Sequence, residues 1–444
     1  MSKRFRSWDI EQAWLFPPSV LDLVPEEHPA HFVRELVRSD LDLSAIYADY
    51  EPGAGAPPYH PALMTALILY GYSRGVYSSR KLAEACEVRV DFMAVTGRQM
   101  PNFRTINEFR LRHLEALGEL FVQVLVLCRR AGLAKLNHVS LDGTKMKANA
   151  SKHKAMSYKR MKEEERRLRE QVASWLEQAQ AIDEAEDELY GEENSGREMP
   201  DWMATKQKRA ERIAQVKAEM EAEAKAEARA KAEEQAKKPP RKNKGGHPPK
   251  APSETPPDKA QRNFTDSESR IMRTRQTYEQ AYNCQAAVDA ESQVIVARSV
   301  SNKQSDMHEV VPILDQIRRN VGRQAREFSA DMGYCSEHNL KALKRRRIRG
   351  YVATGRRRHR EATPTSDPWR MQQPYACEMR VRLRRGGHRS RYRLRKQTVE
   401  PVFGQIKGAK GFRQFLMRSL EKVRGEWDLL CTAHNINKLY KAMG

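Results

Sequence analysis

The chain has 444 residues, of which 39% are hydrophobic and 31% are charged. This length is enough for roughly two or three domains with a substantial core. No apolar run approaches the roughly 18 residues of a membrane span, which argues against an integral membrane protein. The charged N-terminal residues lack an apolar signal core, and the six cysteines form no CxxC pair. Both features favour a cytoplasmic protein with free thiols over a disulfide framework or a zinc site.

The charge balance is strongly basic. Eighty Lys and Arg residues stand against 58 acidic residues, which gives a formal net charge of +22. The excess is heaviest over residues 344–350, 356–360 and 380–396. Such a surplus attracts polyanions, chiefly nucleic acid, through steering and counterion release. A membrane surface is a weaker candidate, because we find no amphipathic anchor or lipidation motif.

Residues 1–134 have the pattern of a helical region. Pro61 opens one predicted helix, and Ser78 is a suitable N-cap for a second. A third helix is expected to begin at Thr105, where a capping box with Glu108 is possible, and to run to about Arg130.

Basic residues are concentrated at the start of this third predicted helix. The candidates for DNA contact in this region are Arg104, Arg110 and Arg112. Short helices followed by a basic helix are compatible with a helix-turn-helix reader of duplex DNA. An ordinary helical bundle with a charged outer face explains the pattern equally well.

Residues 153–261 have a different composition. Apolar residues in the first half are spaced by 7, 4, 3, 4 and 3, which is a coiled-coil stripe; they are Met161, Leu168, Val172, Trp175, Ala179 and Ile182. A second stripe contains Ile213, Val216 and Met220. We therefore predict a long helical hairpin, followed by a Pro- and Lys-rich linker. Its charges are mostly balanced, which is typical of a solvated helix surface.

From residue 262 onward the pattern alternates between strands and helices. Residues 281–301 contain two strand-like runs joined by a turn near Asp289. A helix is predicted over 306–320 with Asp306 as its N-cap, and residues 326–355 show the order strand, turn, helix, strand, with Ser336 as a helix cap. This alternation predicts an α/β fold in which helices pack on a mixed sheet.

Two acidic residues end short apolar strands in this pattern. Asp142 and Asp331 each have a glycine within two residues, Gly143 and Gly333. Ligands gather beyond the carboxyl ends of strands in open α/β sheets, and carboxylate oxygens suit Mg²⁺. Two ions about 4 Å apart would activate a nucleophile and stabilise a leaving oxygen. Alternatively, Asp-Gly is a common hairpin turn, and Asp142 would then be a turn residue.

Such a metal site needs a third carboxylate. The candidates are Asp289, Asp306, Asp315, Asp367 and Glu400. Glu400 differs from the others, because Pro401 would suit the first position of a helix. Lys407 would then share a face with Glu400 about two turns later. The basic segment before Glu400 alternates and contains Gly-Gly, so a hairpin is an alternative there.

Several long stretches resemble bacterial insertion-sequence transposases of the DDE type. In the second half and around Asp142 they are "SLDGTKMKANASKHKAMSYKRM", "NFTDSESRIM", "SADMGYCSEHNL" and "TVEPVFGQIKGAKGFRQFLMRSLEKVRGEWDLLCTAHNINKL". Near the N-terminus, "YEPGAGAPPYHPALMTALILYGYSRGVYSSRKLAEACE" resembles the helical N-terminal domain of those transposases.

The resemblance implies an RNase H-like catalytic fold interrupted by an insertion between its first and second acids. Residues 1–134 would then be a helical DNA-binding domain, and residues 135–152 and 262–444 the two parts of the catalytic domain. The 153–261 segment would be the insertion and its linker. The implied catalytic and metal-binding triad is Asp142, Asp331 and Glu400.

A subgroup of this family carries Tyr, Arg, Glu and Lys around the third acid. The matching residues are Tyr392, Arg395, Glu400 and Lys407. Four residues separate Arg395 from Glu400 where three are commoner, which leaves Lys396 as the basic residue in register. Phosphate contacts are expected from Lys145, Lys147, Arg395, Lys396 and Lys407, which set register without reading sequence.

The implied function is transposition of DNA. The resemblance implies cleavage at the ends of the element and strand transfer to target DNA, with two Mg²⁺ ions, or Mn²⁺ as a substitute. The implied partner is double-stranded DNA, bound by a homodimer in the bacterial cytoplasm at the nucleoid. Two other classes stay open: a catalytically silent DNA-binding remnant or repressor, and a metal-dependent nuclease without strand transfer.

Overall fold

The computed structural model of the protein describes residues 19–50, 57–190, 201–236, 252–274, 277–355 and 373–443. Within these residues, every helix is too short or too polar to cross a membrane. The basic run 356–360, Asp367 and most of the Pro- and Lys-rich linker lie outside the described residues.

Seven helices precede the first strand in the described part of the chain. They are α1 (Pro29–Glu35), α2 (Ser44–Tyr47), α3 (Pro61–Ser73), α4 (Ser79–Val88), α5 (Val90–Thr96), α6 (Phe103–Arg112) and α7 (Leu114–Arg130). The predicted third helix is divided at His113, and its predicted start at Thr105 was wrong. Asn102 is the N-cap, because its Oδ1 accepts the backbone amides of Arg104 and Thr105 at 2.9 and 3.0 Å.

A six-stranded mixed sheet forms the centre of the fold. Its strands are β1 (His138–Lys147), β4 (Arg270–Arg273), β5 (Tyr278–Asp289), β6 (Ile295–Ser301), β7 (Glu327–Ala330) and β8 (Arg349–Val352). The strand order is β4-β5-β1-β7-β8, and β6 also pairs with β5. β1 is antiparallel to β5 and parallel to β7, which is itself parallel to β8. The predicted mixed α/β architecture is thereby confirmed.

β1 does not end at the first candidate acid. Residues Val139–Lys147 pair continuously with Asp289–Ala281 of β5, so the predicted turn at Asp142 and Gly143 was wrong. Gly143 serves another purpose: a Cβ atom there would lie 2.6 Å from Gln285 Nε2. Glycine is required because the neighbouring strand's side chain fills that space.

Helices cover the sheet and join it to the N-terminal helices. The helices after β6 are α10 (Val310–Val321), α11 (Glu337–Arg345), α12 (Pro374–Gly386), α13 (Leu394–Gly404) and α14 (Leu420–Met443). α14 contacts α3, α7 and β6 and buries Trp427 completely. One continuous hydrophobic core therefore includes the N-terminal helices and the sheet.

The predicted helical hairpin is present between β1 and β4. It consists of α8 (Tyr158–Tyr190) and α9 (Asp201–Ala236), with the two-stranded sheet of β2 (Ala155–Ser157) and β3 (Gln261–Asn263) at its base. Met161 and Leu168 pack against Ile213, Val216 and Met220 in a small core of their own. The predicted spacing is thus confirmed at Met161 and Leu168. Val172 and Trp175 are half-buried outside this core, and the side chains of Ala179 and Ile182 lie outside the described residues.

The segment before Glu400 is helical, so the hairpin alternative was wrong. α12 and two 3₁₀ turns lead into α13, which begins six residues before Glu400 and places Pro401 inside the helix. A proline there leaves the carbonyl of Gln397 without its helical partner. That oxygen instead accepts a hydrogen bond from Gln293 Nε2 at 3.1 Å. A π-helical turn, Gln405–Ala409, follows α13.

Candidate active site

The parallel pairing of β1 and β7 places two of the candidate acids side by side. Ser140 is the register partner of Ser329, and Asp142 and Asp331 each follow two residues later. Side chains two residues apart point to the same face of a strand, so the two carboxylates lie level at the point where β7 ends. Asp142 Oδ1 accepts the amide of Gly143 at 2.9 Å, and Asp331 Oδ1 accepts the amide of Gly333 at 2.8 Å.

Arg395 connects the first candidate acid to the third. α13 lies against β1, and its Arg395 donates from Nη1 to Asp142 Oδ2 at 2.8 Å. The other terminal nitrogen, Nη2, donates to Glu400 Oε1 at 3.3 Å. The side chains of Asp142 and Arg395 are 16% and 14% exposed, whereas that of Glu400 is 46% exposed. Glu400 therefore stands at the mouth of the cluster and Asp142 at its base.

Burial dominates the electrostatics at the base of this cluster. It raises the pKa of Asp142 to about 6, against the opposing effect of Arg395 and with smaller contributions from Asp331 and Glu400 in the same direction. Burial alone would lower the pKa of Arg395, but Asp142 and the other neighbours raise it on balance. The arginine therefore stays charged beside a carboxylate that is costly to ionise.

Two of the predicted phosphate-binding lysines are held by the protein itself. Lys407 Nζ donates to Thr144 Oγ1 at 2.5 Å and to the carbonyl of Lys145 at 2.9 Å. Lys145 Nζ donates to Asp306 Oδ1 at 3.1 Å. The side chain of Lys147 is 46% exposed, with Glu279 3.8 Å away. Lys407 thus binds the far half of β1, whereas Lys145, in that half, binds the loop that carries Asp306.

The structure assigns different surroundings to the three predicted N-terminal arginines. Arg110 is buried and donates to Tyr72 Oη at 3.2 Å and to the carbonyl of Tyr77 at 2.9 Å. It is not accessible to a phosphate, and we remove it from the predicted DNA contacts. Arg112 is exposed and paired with Asp49, and Arg104 is exposed.

Sequence reasoning missed the role of Asp306. It is not a helix cap, because α10 begins at Val310 with Glu309 as its N-cap. Its Oδ1 accepts hydrogen bonds from Lys145, from Asn283 Nδ2 at 2.6 Å and from Gln285 Nε2 at 2.8 Å. The two fully buried amides in "YNCQAAV" were the available signal, since buried polar side chains need partners.

The acids provide the donor chemistry that Mg²⁺ prefers, namely carboxylate oxygens next to an open mouth. In the described parts of the chain, no three His, Cys, Asp or Glu side chains already converge as closely as bound metal ligands would. Arg395 forms ion pairs with both Asp142 and Glu400 and lies between the two carboxylates. The carboxylates fit a divalent metal in kind, and Arg395 occupies the space between Asp142 and Glu400.

Two family models match this chain. The transposase domain (DUF772) matches residues 18–112, and the transposase DDE domain matches residues 247–436. The chain belongs to the insertion-sequence DDE transposases. No curated protein and no solved structure matches it.

The two matches cover most of the transposase and leave out a central region. The second match contains Asp331 and Glu400, whereas Asp142 lies between the matched ranges together with the helical hairpin. Transposases with this domain generally use divalent metal ions. Asp142, outside both matched ranges, is joined to the other two acids by the parallel pairing of β1 and by Arg395 of α13.

Proposed function

We propose that this transposase cleaves DNA at the ends of its own insertion sequence and joins the freed ends to target DNA. The observation that supports the proposal most directly is that Arg395 joins Asp142 to Glu400, while Asp331 follows the strand parallel to that of Asp142. These three carboxylates are the proposed ligands of two Mg²⁺ ions, with Mn²⁺ as a substitute. When bound, the ions would supply Lewis-acid stabilisation of the attacking and leaving oxygens.

The proposed chemistry has two steps. Water attacks a phosphorus atom at the element's end, the bond to the 3′-oxygen breaks, and that oxygen leaves as a 3′-hydroxyl. The hydroxyl then attacks a target phosphorus atom and expels the 3′-oxygen of the target strand. Asp142 and Asp331 are fixed by adjacent strands, while Glu400 at the exposed mouth is placed to meet the entering DNA. Arg395 and Lys407 hold the carboxylate cluster and the far half of β1.

A basic surface lies next to this cluster. α12, the following 3₁₀ turns and the start of α13 expose Arg384, Arg385, Arg389, Arg391, Arg393 and Lys396. We propose that this surface holds phosphates of double-stranded DNA, together with Lys147 and Tyr392. Arg104 and Arg112 are the proposed contacts of the N-terminal domain, residues 1–134. Since two ends must be cut together, we propose a homodimer on DNA at the bacterial nucleoid.

The direct test uses DNA copied from both flanks of the coding sequence. Purified protein is incubated with labelled duplexes of these flanks in Mg²⁺, and the products are separated under denaturing conditions. We expect strand breaks at the outer boundary of terminal inverted repeats. In a second reaction, pre-cut flank duplexes and a supercoiled plasmid should give joined products.

The outcomes separate the three function classes. Cut products without joined products would show a nuclease, and binding to the flanks without either product would show a silent DNA-binding protein. Both results would overturn the proposal. The same reactions in EDTA are the control, and they should give binding without cleavage.

A further inference from the structure

Asp306 lies in the loop between β6 and α10, and four hydrogen bonds fix that loop, three of them to the sheet and one to α11. Lys145 Nζ donates to the Gln304 carbonyl at 3.0 Å, and Asn283 Nδ2 donates to the Lys303 carbonyl at 3.1 Å. Gln304 Nε2 donates to the Ile271 carbonyl at 2.8 Å. Asn339 Nδ2, from α11, donates to the Met307 carbonyl at 2.6 Å. The position of the Asp306 carboxylate is therefore set by its whole loop.

One oxygen of Asp306 accepts hydrogen bonds from polar side chains of both β1 and β5. Its Oδ1 accepts Lys145, Asn283 and Gln285 within 3.1 Å. The same oxygen lies 3.1 Å from the place where a Cβ atom on Gly143 would be, beside Asp142. Asp306 thus packs closely against β1 next to the first candidate acid.

The other oxygen of Asp306 faces the second candidate acid. A Cβ atom on Gly333 would lie 3.6 Å from Asp306 Oδ2 and 3.1 Å from Asp331 Oδ1. Gly333 therefore occupies a narrow space between the two carboxylates. Residue 333 also carries the amide that binds Asp331.

A second connection runs from Asp306 through Gln285 to the loop after Asp331. Gln285 donates from Nε2 to Asp306, while its Oε1 accepts the hydroxyl of Tyr334, which is fully buried. Asn339 joins the two loops, since its Nδ2 also donates to the Tyr334 carbonyl at 2.9 Å. Asp306 fixes which way the Gln285 amide points, and that amide anchors Tyr334.

We propose that Asp306 is a positioning residue of the candidate active site, holding the Lys145 ammonium and the loop that carries Asp331 in place beside Asp142. This inference rests on the proposed function for its metal-binding consequence only. Replacing a residue that hydrogen-bonds to a metal ligand, without itself touching the metal, typically changes metal affinity by about 10–100-fold.

The test compares three variants of the full chain. Asp306→Ala removes every contact of the carboxylate, whereas Asp306→Asn keeps an oxygen for the three donors and removes the charge. Glu291→Gln is the matched control, because Glu291 is also a carboxylate that binds a lysine and an amide side chain. Its partners, Lys135 and Asn137, precede the first residue of β1, far along the strand from Asp142 and Lys145. The measurements are amide hydrogen exchange over residues 331–335 and Mn²⁺ binding by electron paramagnetic resonance.

We expect Asp306→Ala to raise the exchange rate of residues 331–335 by about tenfold, the effect of losing one well-formed hydrogen bond. We expect it to weaken Mn²⁺ binding by at least about tenfold, and Asp306→Asn to restore affinity to within about threefold of the wild type. Glu291→Gln should change neither quantity.

Three results would decide against the proposal or against its basis. Unchanged exchange in Asp306→Ala would overturn the positioning role. Equal loss of Mn²⁺ affinity in both Asp306 variants, with unchanged exchange in Asp306→Asn, would show a direct metal ligand and overturn it as well. Wild-type protein that binds no Mn²⁺ would refute the proposed metal-dependent function, while the exchange measurement would still decide the role of Asp306.

Discussion

Asp142 and Glu426 are two carboxylates in different parts of the transposase that share one property. Burial raises the pKa of Asp142 to about 6 and that of Glu426 to about 7. Their partners differ. Glu426 Oε2 accepts the backbone amides of Leu416 and Met417 at 3.0 and 3.1 Å, whereas Asp142 accepts one backbone amide, that of Gly143, and is also bound by the charged side chain of Arg395.

The difference shows which perturbed group belongs to a functional site. Backbone amides are fixed by the fold, so the partners of Glu426 cannot be exchanged for a ligand. Asp142 is held by a side chain that also holds the exposed Glu400, and side chains can rearrange when a ligand enters. The raised pKa of Asp142 therefore marks a candidate site, because its charged partner also binds an acid at the open mouth.

The largest expected effect is that of Asp142→Asn on cleavage. The amide cannot supply the negative charge that a divalent metal needs, so we expect cleavage of flank duplexes to fall by about a thousandfold or more, or ~4 kcal/mol of activation free energy. Binding to the same duplexes, measured by gel shift, should change little.

Glu426→Gln is the matched control for Asp142→Asn. It also neutralises a carboxylate with a raised pKa, and we expect wild-type cleavage at neutral pH. If both variants lost cleavage equally while remaining folded, the distinction between the two carboxylates would be wrong. Residual Mg²⁺-dependent cleavage near the wild-type rate in Asp142→Asn would remove this residue from the proposed triad.

The second effect is on stability, and it belongs to Glu426. Because its pKa in the folded state is raised from the ordinary 4.5 to about 7, the folded protein favours the neutral acid. This contribution is fully present below pH 4.5 and is lost as the pH rises to about 7, which corresponds to ~3 kcal/mol of unfolding free energy.

Urea unfolding of the wild type and Glu426→Gln between pH 4.5 and 8 measures this contribution. The difference in unfolding free energy between the two proteins should change by ~3 kcal/mol over that range, in favour of the variant at high pH. Parallel curves would mean that Glu426 keeps an ordinary pKa in the folded protein. The charge of Arg110, which acts to lower the pKa of Glu426, is present in both proteins.

Arg110 extends the comparison to cations. Its guanidinium is buried against neutral oxygen atoms, whereas Arg395 is bound to acids at an open mouth. We expect Arg110→Met to lower the unfolding free energy by about 2 kcal/mol, because Tyr72 and Tyr77 lose a charged partner. Arg104→Met, at an exposed position, should unfold like the wild type. Equal stability of both variants would contradict the structural role of Arg110.

Patterns along single elements were sufficient to predict much of the architecture. The apolar stripes predicted the helical hairpin, and the alternation after residue 262 predicted the mixed sheet. Asp142 and Asp331 were proposed as neighbours from the ends of adjacent strands. The parallel pairing of β1 and β7 does bring them side by side, although β1 continues past Asp142. That prediction needed no knowledge of contacts between distant side chains.

Features that depend on a distant partner could not be predicted. Asp142 and Gly143 have the sequence of a turn, but Gly143 pairs with Gln285 inside a strand. The side chain of Gln285 occupies the space that a Cβ atom on Gly143 would need. Pro401 has the pattern of a helix start, but it lies inside α13. The Gln397 carbonyl, which Pro401 leaves without a helical partner, accepts a hydrogen bond from Gln293, more than a hundred residues away in the chain. Asp306 has the pattern of an N-cap, and three donors from β1 and β5 determine its role instead.

The smallest predicted effect tests the space at Gly143 next to Asp142. In Gly143→Ala the new methyl group would meet Gln285 Nε2 at 2.6 Å, so the amide must move and its hydrogen bonds must change. We expect the unfolding free energy to fall by about 1–2 kcal/mol, as for other overpacked sites. Gly404→Ala is the control, because no atom outside its chain neighbours and the backbone of its own helix lies within 4 Å of its Cβ position. Alanine also favours a helix by up to about 1 kcal/mol. Urea unfolding should therefore move the two variants in opposite directions. A Gly143→Ala protein as stable as the wild type would show that the end of β1 tolerates a side chain, and the close packing of Asp306 and Gln285 behind Asp142 would then be wrong.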